Sequence, residues 1–133
     1  MELILVRHGL PLRREVVEGP ADPELSPEGV DQAARLANYL ATEKIAAIYS
    51  SPMKRAVQTA EPLAQTTGLP ISIVDEVAEY DRLSSEYIPI EELRAANDER
   101  WQKLLVGEWQ SDSDTLESFR NRVISSLEQL IRQ

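Results

Sequence analysis

Glu2-Leu3-Ile4-Leu5-Val6-Arg7-His8-Gly9 is the stretch on which the fold turns. It is a short apolar run with β-branched residues, and it stops abruptly at a cation, an imidazole and a glycine. Such a run predicts a strand near residues 2–6, buried on both faces of a sheet. In an open α/β sheet, ligands bind beyond the carboxyl ends of the strands. Arg7 and His8 then sit at the mouth of a site, and Gly9 lets the backbone turn and approach a ligand closely. His8 is the single histidine of the chain. A lone histidine is more often a structural residue. The arginine and glycine beside this one, at a strand end, turn the reading towards chemistry.

Outward from that strand, residues 10–25 form a long connection punctuated by Pro11, Gly19, Pro20 and Pro23. Leu25-Ser26-Pro27-Glu28-Gly29 then starts a helix near 27–41, with Ser26 as N-cap and Pro27 in the first turn. Its apolar stripe is Val30, Ala33, Ala34, Ala37, Leu40 and Ala41, and the alanines suit close packing on a sheet. Ile45-Ala46-Ala47-Ile48-Tyr49 reads as a second buried strand. Ser51 caps and Pro52 opens a helix near 52–66, with a kink or break expected between Gln58 and Pro62. Gly68 and Pro70 end it, and residues 71–74 give a third strand. This β-α-β-α-β order predicts parallel strands with right-handed crossovers.

The remainder is helical. Residues 90–105 predict one helix, interrupted in its stripe by Asn97. Asp114-Thr115-Leu116-Glu117 reads as a capping box for a helix near 115–131, whose apolar face (Leu116, Phe119, Val123, Leu127, Leu130, Ile131) should pack on the sheet. The whole is one domain, 1–133, of α/β class: three layers, α/β/α, around a mostly parallel sheet. The last helix leads into no strand before Gln133, so the sheet reads as C-terminally incomplete, with exposed strand edges that favour self-association into a homo-oligomer.

Composition removes several functions. A net charge of −9 argues against nucleic acid or an anionic membrane as partner. With no cysteine there is no disulfide, zinc-thiolate site or cysteine nucleophile, and one histidine cannot build a multi-histidine metal centre. The apolar start is too short for a signal peptide, and no run is as long as a membrane span, which gives the cytoplasm as the default compartment. An anionic small substrate remains open, because Arg7, Arg13, Arg14, Lys54 and Arg55 cluster in or near the first two strand-end loops.

That clustering suits a phosphoryl group, whose catalyst needs donors aimed at the non-bridging oxygens and an in-line nucleophile. Arg7 offers a planar fork. Arg55 lies in the first turn of a helix whose free N–H groups are themselves an anion site, although by position alone it could equally be a solvated charge. The Ser50/Ser51 region adds to the same pocket. A neutral imidazole nitrogen can attack phosphorus if its other nitrogen is held by an acceptor. The acid for the leaving alcohol is among Asp75, Glu76, Glu79 and Asp81, and spacing does not choose between them. Asp112-Ser113-Asp114 suits a magnesium ion less well than cap and loop duty. Of the tryptophans, Trp109 can line a pocket, while Trp101 is better placed in the core.

Taken together, Arg7-His8-Gly9, Leu25-Ser26-Pro27-Glu28-Gly29 with Gln32-Ala33, Ile48-Tyr49-Ser50-Ser51-Pro52 with Arg55 and Gln58-Thr59-Ala60, Val77-Ala78-Glu79, and Glu117-Ser118-Phe119 with Arg122-Val123 resemble the histidine phosphatase superfamily, which includes the phosphoglycerate mutase-like enzymes. The resemblance implies a phosphomonoester hydrolase with His8 as the transiently phosphorylated nucleophile and Glu79 as the acid. It implies that Arg7, Gly9, Ser51 and Arg55 bind a small phosphorylated metabolite, with no metal or other cofactor. Two departures stand out. Leu10-Pro11-Leu12-Arg13-Arg14 replaces the small polar residue and asparagine of mutase-like members, which disfavours a mutase. The family's second histidine, on a strand after the last helix, has no counterpart here, so this chain is expected to be a poor catalyst. The alternatives are an inactive phosphate-binding or regulatory module, a phosphohistidine-protein phosphatase or a phosphoglycerate mutase.

Overall fold

A computed structural model describes residues 2–111 and 114–132. In order, the elements are β1 (Arg14–Glu15), α1 (Pro27–Leu40), β2 (Ile48–Ser50), α2 (Lys54–Thr67), β3 (Ile71–Ile73), a 3-10 turn (Asp75–Val77), β4 (Glu86–Tyr87), α3 (Ile90–Ala95), α4 (Glu99–Leu105) and α5 (Leu116–Ile131). β2 and β3 pair in parallel, Ile48 opposite Ile71, as the β-α-β order requires. β1 and β4 pair antiparallel, Arg14 opposite Tyr87, and so tie the long 10–25 connection to the segment after the 3-10 turn. The α/β class holds, with each ladder two strands wide. Among the described residues no helix is long and apolar enough to cross a membrane.

The core lies where α1 and α2 meet the parallel pair. Ala37 and Leu40 of α1, Ile48 of β2 and Leu63 of α2 form its buried centre, with Leu36, Ile45, Ala60, Leu69 and Ile71 against it. α1 begins as expected: the Ser26 hydroxyl accepts the Gly29 N–H at 3.1 Å and also donates to the Leu10 carbonyl at 2.8 Å. One serine thus caps the helix and fixes the chain just after His8-Gly9.

Several local expectations are corrected. Residues 2–6 form no strand. Among the described residues no strand pairs with them, and Leu3, Ile4, Leu5 and Val6 are exposed, Leu5 at 72%. Their apolar character gave the strand signal, but a strand also needs a partner for its backbone groups. α2 starts at Lys54 rather than Pro52, because its cap comes from outside the local sequence: Asp22 Oδ1 accepts the Lys54 N–H at 3.0 Å. It is not broken at Pro62; Leu63, the next residue, is buried in the core, and tertiary packing sustains the helix across the missing donor. The helix expected over 90–105 is two, because Asn97 adopts φ 49° and Asp98 caps a fresh helix through the Arg100 N–H. The capping box of α5 is Thr115 with Ser118, one residue later than expected, and Asp114 instead pairs with Arg122 at 2.7 Å. α5 packs against the 3-10 turn, with Phe119 edge-on to Tyr80 at 5.5 Å, while Leu116 and Ile131 stay exposed. Asp112 and Ser113 of the weighed magnesium motif lie outside the described residues. Trp101 is only partly buried, with the Arg94 guanidinium 6.0 Å above its ring.

Candidate active site

Arg55 anchors the site. Placed in the first turn of α2, it is 1% exposed although it carries a full charge. A buried guanidinium needs carboxylates around it. Its Nη2 donates to Glu79 Oε2, and Nη1 lies 3.5 Å from Asp22 Oδ1. Its planar face lies on the Tyr87 ring, 4.3 Å from the centroid. Nη1 makes no hydrogen bond among the described residues, so one buried donor is left for an incoming acceptor.

His8 is the second member. Its ring is 6% exposed. Nδ1 lies 2.7 Å from the Gly9 carbonyl, which can only accept, so Nδ1 carries hydrogen. Nε2 lies 2.6 Å from Glu79 Oε1 and 3.4 Å from Arg55 Nε. The Gly9 N–H donates to Thr59 Oγ1 at 2.9 Å, and Thr59 in turn donates to the Arg55 carbonyl at 2.6 Å. A single hydroxyl on α2 therefore sets His8-Gly9 against Arg55.

Glu79 is the third. It follows the 3-10 turn, and its two oxygens divide between His8 and Arg55. Burial alone would push its carboxyl up. The hydrogen bond from His8 and the charge of Arg55 outweigh this and hold it at about 2. Asp81, two residues on, shifts the other way: burial raises it, and the negative charge of Glu79 raises it further.

His8, Arg55 and Glu79 thus converge as the sequence suggests, and of the four acid candidates Glu79 is the one bonded to the histidine. Arg7 takes a different position. It opens onto the same cavity as Glu79, but its Nη1 is bonded to Glu91 Oε1 at 3.0 Å on the surface. Gly9 serves a close approach to the protein itself: a Cβ there would stand 2.6 Å from the Gly29 carbonyl oxygen. Ser51 is buried at the end of β2, and among the described residues it makes no bond to the cluster. Arg13 is paired with Glu15 at 3.2 Å. Sequence reasoning missed Asp22 and Tyr87, which sit in segments without motif character. It quoted Gln32, Gln58 and Thr59 without assigning them work. Gln32 accepts the Leu10 N–H and Gln58 the Leu25 N–H, each at 2.8 Å, so both fasten the loop that carries the site.

The pattern of the histidine phosphatase superfamily (branch 1) matches residues 3–133. The chain belongs to the histidine phosphatase superfamily. Phosphoserine phosphatase 1 of Hydrogenobacter thermophilus is 33% identical over 98% of this chain and 64% of its own length. A probable phosphoglycerate mutase of Yersinia pestis is 31% identical over 80% of the chain and 50% of its own length. The chain therefore spans less than two thirds of these relatives. Among solved structures, YhfR of Bacillus stearothermophilus superposes with a TM-score of 0.71 at 22% identity, covering 95% of this chain and 65% of that one. A mycobacterial glucosyl-3-phosphoglycerate phosphatase superposes with a TM-score of 0.67 at 23% identity, covering 94% and 61%. Both place this chain in the histidine phosphatase fold.

Proposed function

We propose that this histidine phosphatase domain hydrolyses phosphomonoesters of small molecules through a phosphohistidine at His8. The observation that carries the reading is the Arg55–Glu79–His8 cluster, in which a buried guanidinium and an imidazole with one fixed N–H share a single carboxylate. The hydrogen bond between His8 Nε2 and Glu79 Oε1 holds one proton shared between the imidazole and the carboxylate.

A phosphoryl group entering the site competes with Glu79 for Arg55, with Arg7 released from Glu91 as the second fork. Freed from Arg55, Glu79 becomes the better base and takes the Nε2 proton. This one transfer yields both a lone pair on Nε2 and a protonated acid. Nε2 attacks phosphorus, the ester P–O bond breaks, and Glu79 returns the proton to the leaving alkoxide. Water then attacks phosphorus and gives its proton to Glu79, the P–N bond breaks with its electron pair returning to Nε2, and inorganic phosphate is released. Charge on the non-bridging oxygens is met throughout by Arg55 and Arg7.

A second reading is a phosphate-binding module without turnover. It is favoured by the position of Glu79 Oε1, 2.6 Å from the atom that must attack. Phosphate release from simple phosphomonoesters, measured for the wild type and Arg55→Ala, separates the two. The first reading requires turnover that falls by about 10²–10³ in the variant. Phosphate binding with no turnover by the wild type selects the second.

A further inference from the structure

We infer that the cavity beside Glu79 receives the alcohol half of the substrate and selects an uncharged, aromatic-sized alcohol over a carboxylated one. The inference rests on the phosphomonoesterase reading and adds the substrate class. The cavity measures about 390 Å³, the size of a small-ligand site. Arg7 and Glu79 line it, and Glu79 is bonded to His8 and Arg55, so the cavity opens beside the reacting groups. Ile90 and Leu93 of α3, Leu104 of α4 and Trp109 supply its apolar wall.

Its charges disfavour an anionic alcohol. Arg100 also lines the cavity, but its Nη2 is held by Asp98 at 2.9 Å and its Nη1 by Glu86 at 3.3 Å. Arg7 is the cation needed by the phosphoryl group. Beyond the hydroxyls of Tyr80, Ser84 and Tyr87, the lining left for the alcohol is Asp81, a carboxylate beside Glu79. A substrate carboxylate would meet like charge there, whereas a ring would meet Trp109 and Leu104.

Isothermal titration with three probes tests this: inorganic phosphate, benzylphosphonate and 3-phosphonopropionate. Benzylphosphonate is expected to bind about tenfold or more tightly than 3-phosphonopropionate. Trp109→Ala and Leu104→Ala should each weaken benzylphosphonate by about fivefold and leave inorganic phosphate unchanged. Asp81→Asn should narrow the gap by strengthening the carboxylated probe. Equal or tighter binding of 3-phosphonopropionate by the wild type, with phosphate still bound, overturns the substrate class alone. No binding of phosphate by the wild type overturns the phosphate site, and this inference with it.

Discussion

His8 Nε2 and Glu79 Oε1 lie 2.6 Å apart, although 71 positions separate them in the chain. The carboxylate also holds Arg55, so it ties the nucleophile candidate to the anion-binding candidate.

The pairing makes stability depend on acid. Glu79 has an ordinary value of 4.5 and is held at about 2 in the folded chain. A carboxyl held low contributes stability that is fully present above its ordinary value and lost as pH falls through the folded one. Urea midpoints should therefore drop between pH 4.5 and 2, and Glu79→Gln should flatten that decline while lowering stability at neutral pH. An unchanged slope would remove Glu79 from the linkage. A part should persist in the variant, because Asp98 beside Arg100 and Asp114 beside Arg122 are also held low.

The proton sharing predicts a leaving-group effect. Glu79→Gln cannot protonate an alkoxide, so hydrolysis of alkyl phosphates should fall by about 10²–10⁴. A nitrophenyl phosphate, whose leaving group departs as an anion, should lose less, the loss that remains being that of the base that frees Nε2 and activates water. Steady-state rates across a series of leaving groups check this; equal losses throughout would mean that Glu79 is not the acid for the leaving group.

Arg122 of α5 donates to the Glu76 carbonyl and, at 2.9 Å, to the Ala78 carbonyl, and it pairs with Asp114 at 2.7 Å. It therefore sets the turn that leads into Glu79. Arg122→Ala should cost about 2–3 kcal/mol by urea unfolding. It should also lower kcat more than it raises KM, and Arg122→Lys should recover only part because an ammonium is not a planar fork.

Gly9→Ala tests the packing behind the site. Its Cβ would stand 2.6 Å from the Gly29 carbonyl oxygen, a backbone atom with little freedom to yield. The expected loss is about 1–3 kcal/mol by urea unfolding, while alanine at Gly19, where a Cβ meets nothing within 4 Å, strains only the backbone.

Much of this was legible in sequence because its signals are local. The Ser26-Pro27 cap, the Gly68 stop at φ 74° and the parallel pairing of β2 with β3 follow from neighbouring residues. The place of Arg55 in the first turn of α2 follows from its neighbours too, and the Arg7-His8-Gly9 motif brings His8 to it although residues 2–6 form no strand. The misses are long-range. Leu3 to Val6 have the composition of a buried strand, but no composition specifies the neighbour that would cover it. Asp22 caps α2 and faces Arg55 from a loop with no motif of its own, and Tyr87 stacks on Arg55 from a two-residue strand. Arg7 followed the motif into the site region but found Glu91 from α3, a partner 84 positions away.

The most direct test is rapid quench with a phosphomonoester labelled in its phosphoryl group, followed by peptide mapping. The account predicts an acid-labile label on the peptide containing His8, formed as fast as the alcohol is released and lost in His8→Asn. Phosphate release by the wild type without such a label, or undiminished label in His8→Asn, would contradict it.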